Sequence, residues 1–140
     1  VGSAELGELA ASLPSVLDRE PRIGPLSGLA SFLEHAGSRR CIAVACDMPR
    51  VSAAFLTRLN LESPEAAVLA PRDVATGKWE PLCARYDPTV VAPVLASAIE
   101  AGTRSFQDLF RELSVVELAL SESERAELRD WDTPEDIERI

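Results

Sequence analysis

Three short polar clusters, each set just after an apolar stretch, hold the residues of this sequence best suited to chemistry. In the first, Asp47 follows Ile42-Ala43-Val44-Ala45-Cys46 and precedes Met48-Pro49. An acid at the carboxyl end of a buried strand can hold Mg2+, a hard cation that takes one or two carboxylates plus phosphate oxygens and water. The same position also suits an Asp that starts a turn or caps the next helix. In the second, Trp131 separates Asp130 from Asp132. Alternate side chains of an extended segment share a face, so both carboxylates can point one way. Asp132-Thr133-Pro134-Glu135 equally makes a helix start, with Asp132 or Thr133 as cap and Pro134 in the first turn. The third cluster runs from Asp18, after a short strand, to Gly24-Pro25-Leu26-Ser27-Gly28 at the opening of a helix. Glycines let a ligand approach the backbone, whose free N–H groups favour a phosphate or a nucleobase carbonyl. A loop-to-helix turn wants glycine in any case.

Other reactive residues point to no site of their own. Cys41, Cys46 and Cys83 are odd in number and lack C-x-x-C spacing, so neither a disulfide framework nor a zinc site is expected. They read as buried strand thiols in a reducing compartment. The single His35 lies near the end of a helical stretch, before Gly37, where a surface role at the helix C-terminus is expected.

These clusters must be carried by a folded scaffold, and the composition supports one. The 140 residues are 46% hydrophobic and 26% charged, too apolar for a disordered chain. The formal net charge of −9 argues against general nucleic-acid binding, which needs Lys and Arg against phosphate. No apolar run approaches the roughly 18 residues of a spanning helix, and Val1-Gly2-Ser3-Ala4-Glu5 lacks the flank of a signal peptide. No membrane partner is expected and a cytoplasmic location is.

Apolar spacing predicts a helix over 4–12, a short strand at 15–17, a helix over 26–36 and a strand over 41–46. Ser52 caps a helix with Phe55, Leu56 and Leu59, and a strand follows over 66–70. A strand over 79–86 is interrupted by Pro81, which suggests an edge, a bulge or a strand start. A helix runs from Pro88 to about Ala101. Ser105 caps another with Phe106, Leu109 and Phe110, and a strand covers 114–120. The tail reads as a charged helical stretch, an extended piece over 128–132, and a helix opened by Thr133-Pro134. Strands alternating with helices predict one α/β domain, 1–140, with a mostly parallel sheet and helices on both faces. Ligands of such folds lie beyond the carboxyl ends of strands, where the three clusters fall.

In order and spacing, Asp18-Arg19-Glu20-Pro21, Gly24-Pro25-Leu26-x-Gly28, Ala45-Cys46-Asp47-Met48-Pro49, Trp79-Glu80-Pro81-Leu82-Cys83-Ala84 and Asp130-x-Asp132-Thr133-Pro134-Glu135-Asp136 resemble the molybdenum cofactor guanylyltransferase family. The resemblance implies a Rossmann-like nucleotidyltransferase fold related to that of sugar-nucleotide pyrophosphorylases. It implies transfer of GMP from GTP to molybdopterin, bare or molybdenum-loaded, with release of pyrophosphate. Asp47 would then be the catalytic Mg2+ ligand and Asp132 the second metal-side position, where relatives often carry Asn. Asp18 would help bind the nucleotide, Gly24, Pro25 and Gly28 would line its pocket, and Asp130, Glu80 and Pro81 would lie toward the pterin. GTP, molybdopterin and other molybdenum cofactor proteins are the partners implied.

The sequence departs from that family at its start. Members open with a strand, L-A-G-G-x-S-x-R-M-G and a downstream Lys that together hold the triphosphate. Here Val1-Gly2 reads as the tail of a strand, no G-x-G-x-x-G or G-x-x-x-x-G-K-[ST] occurs, and Lys78 is the only lysine. The expectation is a fragment lacking the first strand–loop–helix unit, inactive and poorly folding alone, within a parent enzyme. A non-catalytic nucleotide- or partner-binding domain that kept the fold, or a related cytidylyltransferase, are the alternatives.

Overall fold

Pro25 at the first helical position, with its φ already fixed, starts α1 (Pro25–Ala36), and Gly37 stops it at φ 65°. There follow β1 (Cys41–Val44), α2 (Ala53–Leu61), β2 (Val68–Ala70), β3 (Cys83–Tyr86), α3 (Pro88–Glu100), α4 (Phe106–Glu112), β4 (Val115–Glu117) and α5 (Glu122–Glu127). The computed structural model describes residue 16 and residues 24–128. The expected 4–12 helix, the helix after Thr133, Asp18, Asp130 and Asp132 lie outside the described residues.

The described residues fall into two compact units. Among them, one draws on residues 24–41 and 86–114, the other on residues 42–85 and 115–128. In the first, α1 packs on α3, burying Leu26, Leu29, Leu33 and Ala36 together with Val91, Leu95 and Ala98. Phe110 of α4 meets the edge of Tyr86 with ring centroids 6.2 Å apart. Asp87 caps α3 by accepting from the Thr89 backbone at 3.0 Å, and the helix continues through Pro93.

The strands form one sheet in the order β1-β3-β2-β4. β2 and β4 are parallel, Leu69 opposite Val116. β3 runs the other way. Ala45, just after β1, donates to the Leu82 carbonyl, just before β3, at 2.8 Å, and Arg72 pairs with Trp79 in an antiparallel bridge. The α/β class is therefore as the sequence implies, but the sheet is mixed rather than mostly parallel. The reason lies in the segment 71–82, which contains no helix. It folds back through a turn in which Asp73 accepts from Thr76 at 2.8 Å, and a parallel return needs a longer crossover. β3 starts only at Cys83 because it is an inner strand, and Pro81 has no N–H for such a ladder.

The second unit buries Met48, Phe55, Leu59, Ala66, Leu69, Cys83, Leu118 and Leu128 as one cluster. Arg85 in β3 is buried, 1% exposed. Its Nη1 donates to the carbonyls of Leu59, Asn60 and Glu62 at 2.8–2.9 Å, and Nη2 donates to that of Ser63 at 2.6 Å. The last turn of a helix leaves carbonyls without partners, and here a guanidinium collects them at the negative end of α2. α5 buries no side chain of its own. It closes on itself with a Ser121–Glu124 capping box and is held to α2 by Arg58. Arg58 Nη1 lies 2.6 Å from both Glu124 oxygens, while Nη2 donates to the Ala119 carbonyl at 2.7 Å. Among the described residues no helix is long and apolar enough to cross a membrane.

Candidate functional site

β1 ends at Val44, and residues 45–52 turn sharply before α2. The turn is locked at three points. Upstream, Ala45 donates to Leu82; in the middle, the Met48 side chain is buried in the core cluster; downstream, Ser52 caps α2 by accepting from Phe55 at 3.2 Å. Asp47 sits on the outside of this turn, exposed. Ser52 fills the capping role, so Asp47 is not the helix cap. Among the described residues its carboxylate makes no hydrogen bond and no ion pair. A carboxylate held on a fixed backbone, open to solvent and unspent on structure, can serve a ligand. The cysteine expected to end the β1 strand, Cys46, is instead in this turn and exposed, because the strand is two residues shorter than its apolar run.

Gly24 is the N-cap of α1 at φ 84° and ψ −156°, a backbone shape that side-chain-bearing residues rarely adopt. It has no capping side chain, and the first turn of α1 holds no acidic residue, so the positive end of the helix is left to other partners. Pro25 is exposed and Gly28 half-buried. Glu80 and Pro81 are half-buried on the approach to β3. The Glu80 backbone donates to the Pro71 carbonyl at 3.0 Å and accepts from Cys83 at 3.1 Å. Beside them the Arg72 guanidinium stacks 3.7 Å over the Trp79 ring and pairs with Glu117 at 3.5 Å.

The thiols are poor nucleophiles where they are covered. Burial, with the charges of Glu80 and Glu127, pushes Cys83 up to about 12, and burial with the Asp87 charge pushes Cys41 up to about 11. His35 is exposed in the last turn of α1, as expected.

Sequence reasoning missed one residue that bears on the Asp47 turn. Glu127, at the end of α5, accepts from the backbone N–H of Ser52 at 2.9 Å. A capping box would place a Glu three residues after Ser52, but that position is Phe55. The missing local partner was the one visible signal that a distant acid would take its place.

Among solved structures, the chain matches the molybdopterin-guanine dinucleotide biosynthesis protein A of Archaeoglobus fulgidus with a TM-score of 0.68 at 28% identity, over 83% of this chain and 60% of that one. A putative protein of Aquifex aeolicus matches in fold with a TM-score of 0.74 at 20% identity, over 87% and 63%. By architecture, then, the chain is an α/β domain of nucleotidyltransferase type. The family model for the MobA-like NTP transferase domain matches residues 2–117, and the chain belongs to that family. Curated relatives include a probable molybdenum cofactor guanylyltransferase of a Nostoc species, 38% identical over 117 residues. A molybdenum cofactor guanylyltransferase of Xanthomonas euvesicatoria is 33% identical over 127 residues. The alignments cover 81% and 89% of this chain, which spans 55% and 65% of those relatives' lengths.

Proposed function

We propose that this chain carries the metal-side part of a molybdenum cofactor guanylyltransferase. In that reaction a phosphate oxygen of molybdopterin, bare or molybdenum-loaded, attacks the α-phosphorus of GTP. The new P–O bond joins GMP to the pterin, and the bond to the β,γ-phosphates breaks to release pyrophosphate. The observation that carries the reading is Asp47, exposed, unpaired among the described residues and fixed on the turn that leaves β1. The donor chemistry fits Mg2+, which is commonly held by one or two carboxylates together with substrate phosphates rather than by an all-protein cage. Asp47 would hold it, with Asp132 as the second protein position. The bound cation supplies neutralisation of charge around phosphorus.

The remaining residues bind and orient. By the family resemblance, Gly24, at the positive end of α1, would offer bare backbone to the nucleotide, and Pro25, Gly28 and Asp18 are the further residues assigned to it. The same resemblance assigns Glu80, Pro81 and Asp130 to the pterin. The work of such a site is to position two phosphates and neutralise their charge. A cytoplasmic setting and exchange with other molybdenum cofactor proteins accompany this reading.

The test is Asp47→Ala in the full-length protein, assayed for GMP transfer with Mg2+, GTP and a pterin acceptor. Loss of a charge-stabilising group at such a centre lowers kcat by roughly 10²–10³-fold. Stability should stay within about 0.5 kcal/mol of wild type, because the side chain is exposed. Unchanged transfer would leave Asp47 as a turn residue and end the proposal.

A further inference from the structure

Residues 45–52 have little of their own to keep them in shape. The two backbone bonds inside the turn, Met48 to Ala45 and Val51 to Met48, are long, at 3.3 and 3.4 Å. Its geometry is imposed from outside, by Leu82 at the upstream end, by the burial of Met48, and by Glu127 at the downstream end. The Glu127 contact crosses 75 positions of sequence. It supplies the acceptor for the Ser52 N–H that a capping box would supply locally, and it adds a negative charge at the positive end of α2.

Glu127 is itself well held. Glu124, one turn earlier in α5, is clamped by Arg58 near the other end of α2, and Leu128 on its far side is buried in the core cluster. The helix α5 is thus fastened to both ends of α2, and chain beyond Glu127 runs on in sequence to Asp130 and Asp132.

We infer that Glu127 is a positioning residue for Asp47: its bond to the Ser52 backbone fixes the downstream end of the Asp47 turn. The inference rests on the reading of Asp47 as a ligand-binding carboxylate. It adds that the site's precision depends on an acid that touches neither metal nor substrate.

The experiment compares wild type, Glu127→Ala, Glu127→Gln and Asp47→Ala in the full-length protein by two readouts. The first is amide hydrogen exchange without metal or nucleotide. Glu127→Ala should speed exchange at Met48, Val51 and Ser52 at least tenfold while Ala84 in β3 stays as in wild type. The second is GMP transfer against Mg2+ concentration. Glu127→Ala should lower kcat about tenfold and raise the Mg2+ needed for half-maximal rate. Glu127→Gln, whose amide oxygen can still accept from Ser52, should stay within threefold of wild type in both. Unaltered exchange at 48–52 in Glu127→Ala, or faster exchange with normal transfer, overturns the inference while a dead Asp47→Ala leaves the function standing. A fully active Asp47→Ala overturns both.

Discussion

Replacing Arg85 separates the energy of one buried charge from that of the chain around it. The residue is 1% exposed and its guanidinium donates to four main-chain carbonyls at the end of α2. Arg85→Met keeps most of the apolar stem and removes every donor. Of the four acceptors, the Leu59 carbonyl is in a buried residue, whereas Asn60 is exposed and Glu62 and Ser63 are half-buried, so water can reach the latter three. One carbonyl left unsatisfied in the interior costs about 1–3 kcal/mol, and three rehydrated ones lose a few tenths to about 1 kcal/mol in all. The expected loss is about 1–4 kcal/mol.

Arg85→Ala removes the stem as well. At about 0.8 kcal/mol per buried methylene, two or three of them add about 2 kcal/mol, for a total of about 3–6 kcal/mol. Arg85→Lys retains a charge and three donors without the planar fork, so it cannot satisfy all four acceptors, and about 1–2 kcal/mol is expected. Urea unfolding of the full-length variants, with unchanged m, reads these values. The order should be wild type, Lys, Met, Ala. A Met variant within about 0.5 kcal/mol of wild type would show that the guanidinium's desolvation already cancels its hydrogen bonds, and the reasoning would fail.

Two more outcomes follow from charge and exposure. The Arg58 guanidinium, with the Ser121 backbone, holds the Glu124 carboxyl below the usual range, so the folded form binds its proton less readily than the unfolded form. That stability is present above the unfolded carboxyl value of about 4.3 and is lost as pH falls through the lower folded value, so Glu124→Gln should cost up to about 1 kcal/mol at pH 7 and nothing at low pH. A gap that persists at low pH in paired urea titrations would contradict this. Thiol labelling at pH 8, located by mass spectrometry, should reach Cys46 first and leave Cys83 unmodified in the native protein, since Cys83 is buried and pushed up to about 12. Equal labelling of both would contradict the burial.

Much of this fold was legible because its signals are local. Ser52 and Ser105 cap the helices that their positions announce, with Phe55 and Asp108 as the donors, and Gly37 stops α1 where the apolar period ends. Strand direction was not legible from apolar runs, since Val-rich segments look alike whichever way they pair. The helix-free segment 71–82, with its Thr76-Gly77 turn, carried that information instead. Asp47 could be singled out because an acid directly after an apolar run suits a ligand, although it suits a turn or a helix cap as well. Its freedom from capping duty could be known only once Ser52 was seen to hold the cap. Arg85 and Glu127 were invisible because each finds its partners across 22 to 75 positions, and no spacing rule specifies such a pairing.

The choice of cation in the second unit follows from what each one must reach. Lys78 is the only lysine among 14 basic residues. Arg58 joins Glu124, Glu62 and the Ala119 carbonyl, Arg72 lies flat on Trp79 while pairing with Glu117, and Arg85 collects four carbonyls. Each needs several donors in a plane, or a flat cation to stack, and a lysine ammonium offers neither. These three guanidiniums are therefore committed to tying segments of one chain together. Substituting Arg58 or Arg85 therefore tests folding, whereas substituting Asp47 tests the proposed ligand role. A loss of GMP transfer in the arginine variants carries meaning only after their unfolding curves have been subtracted from it.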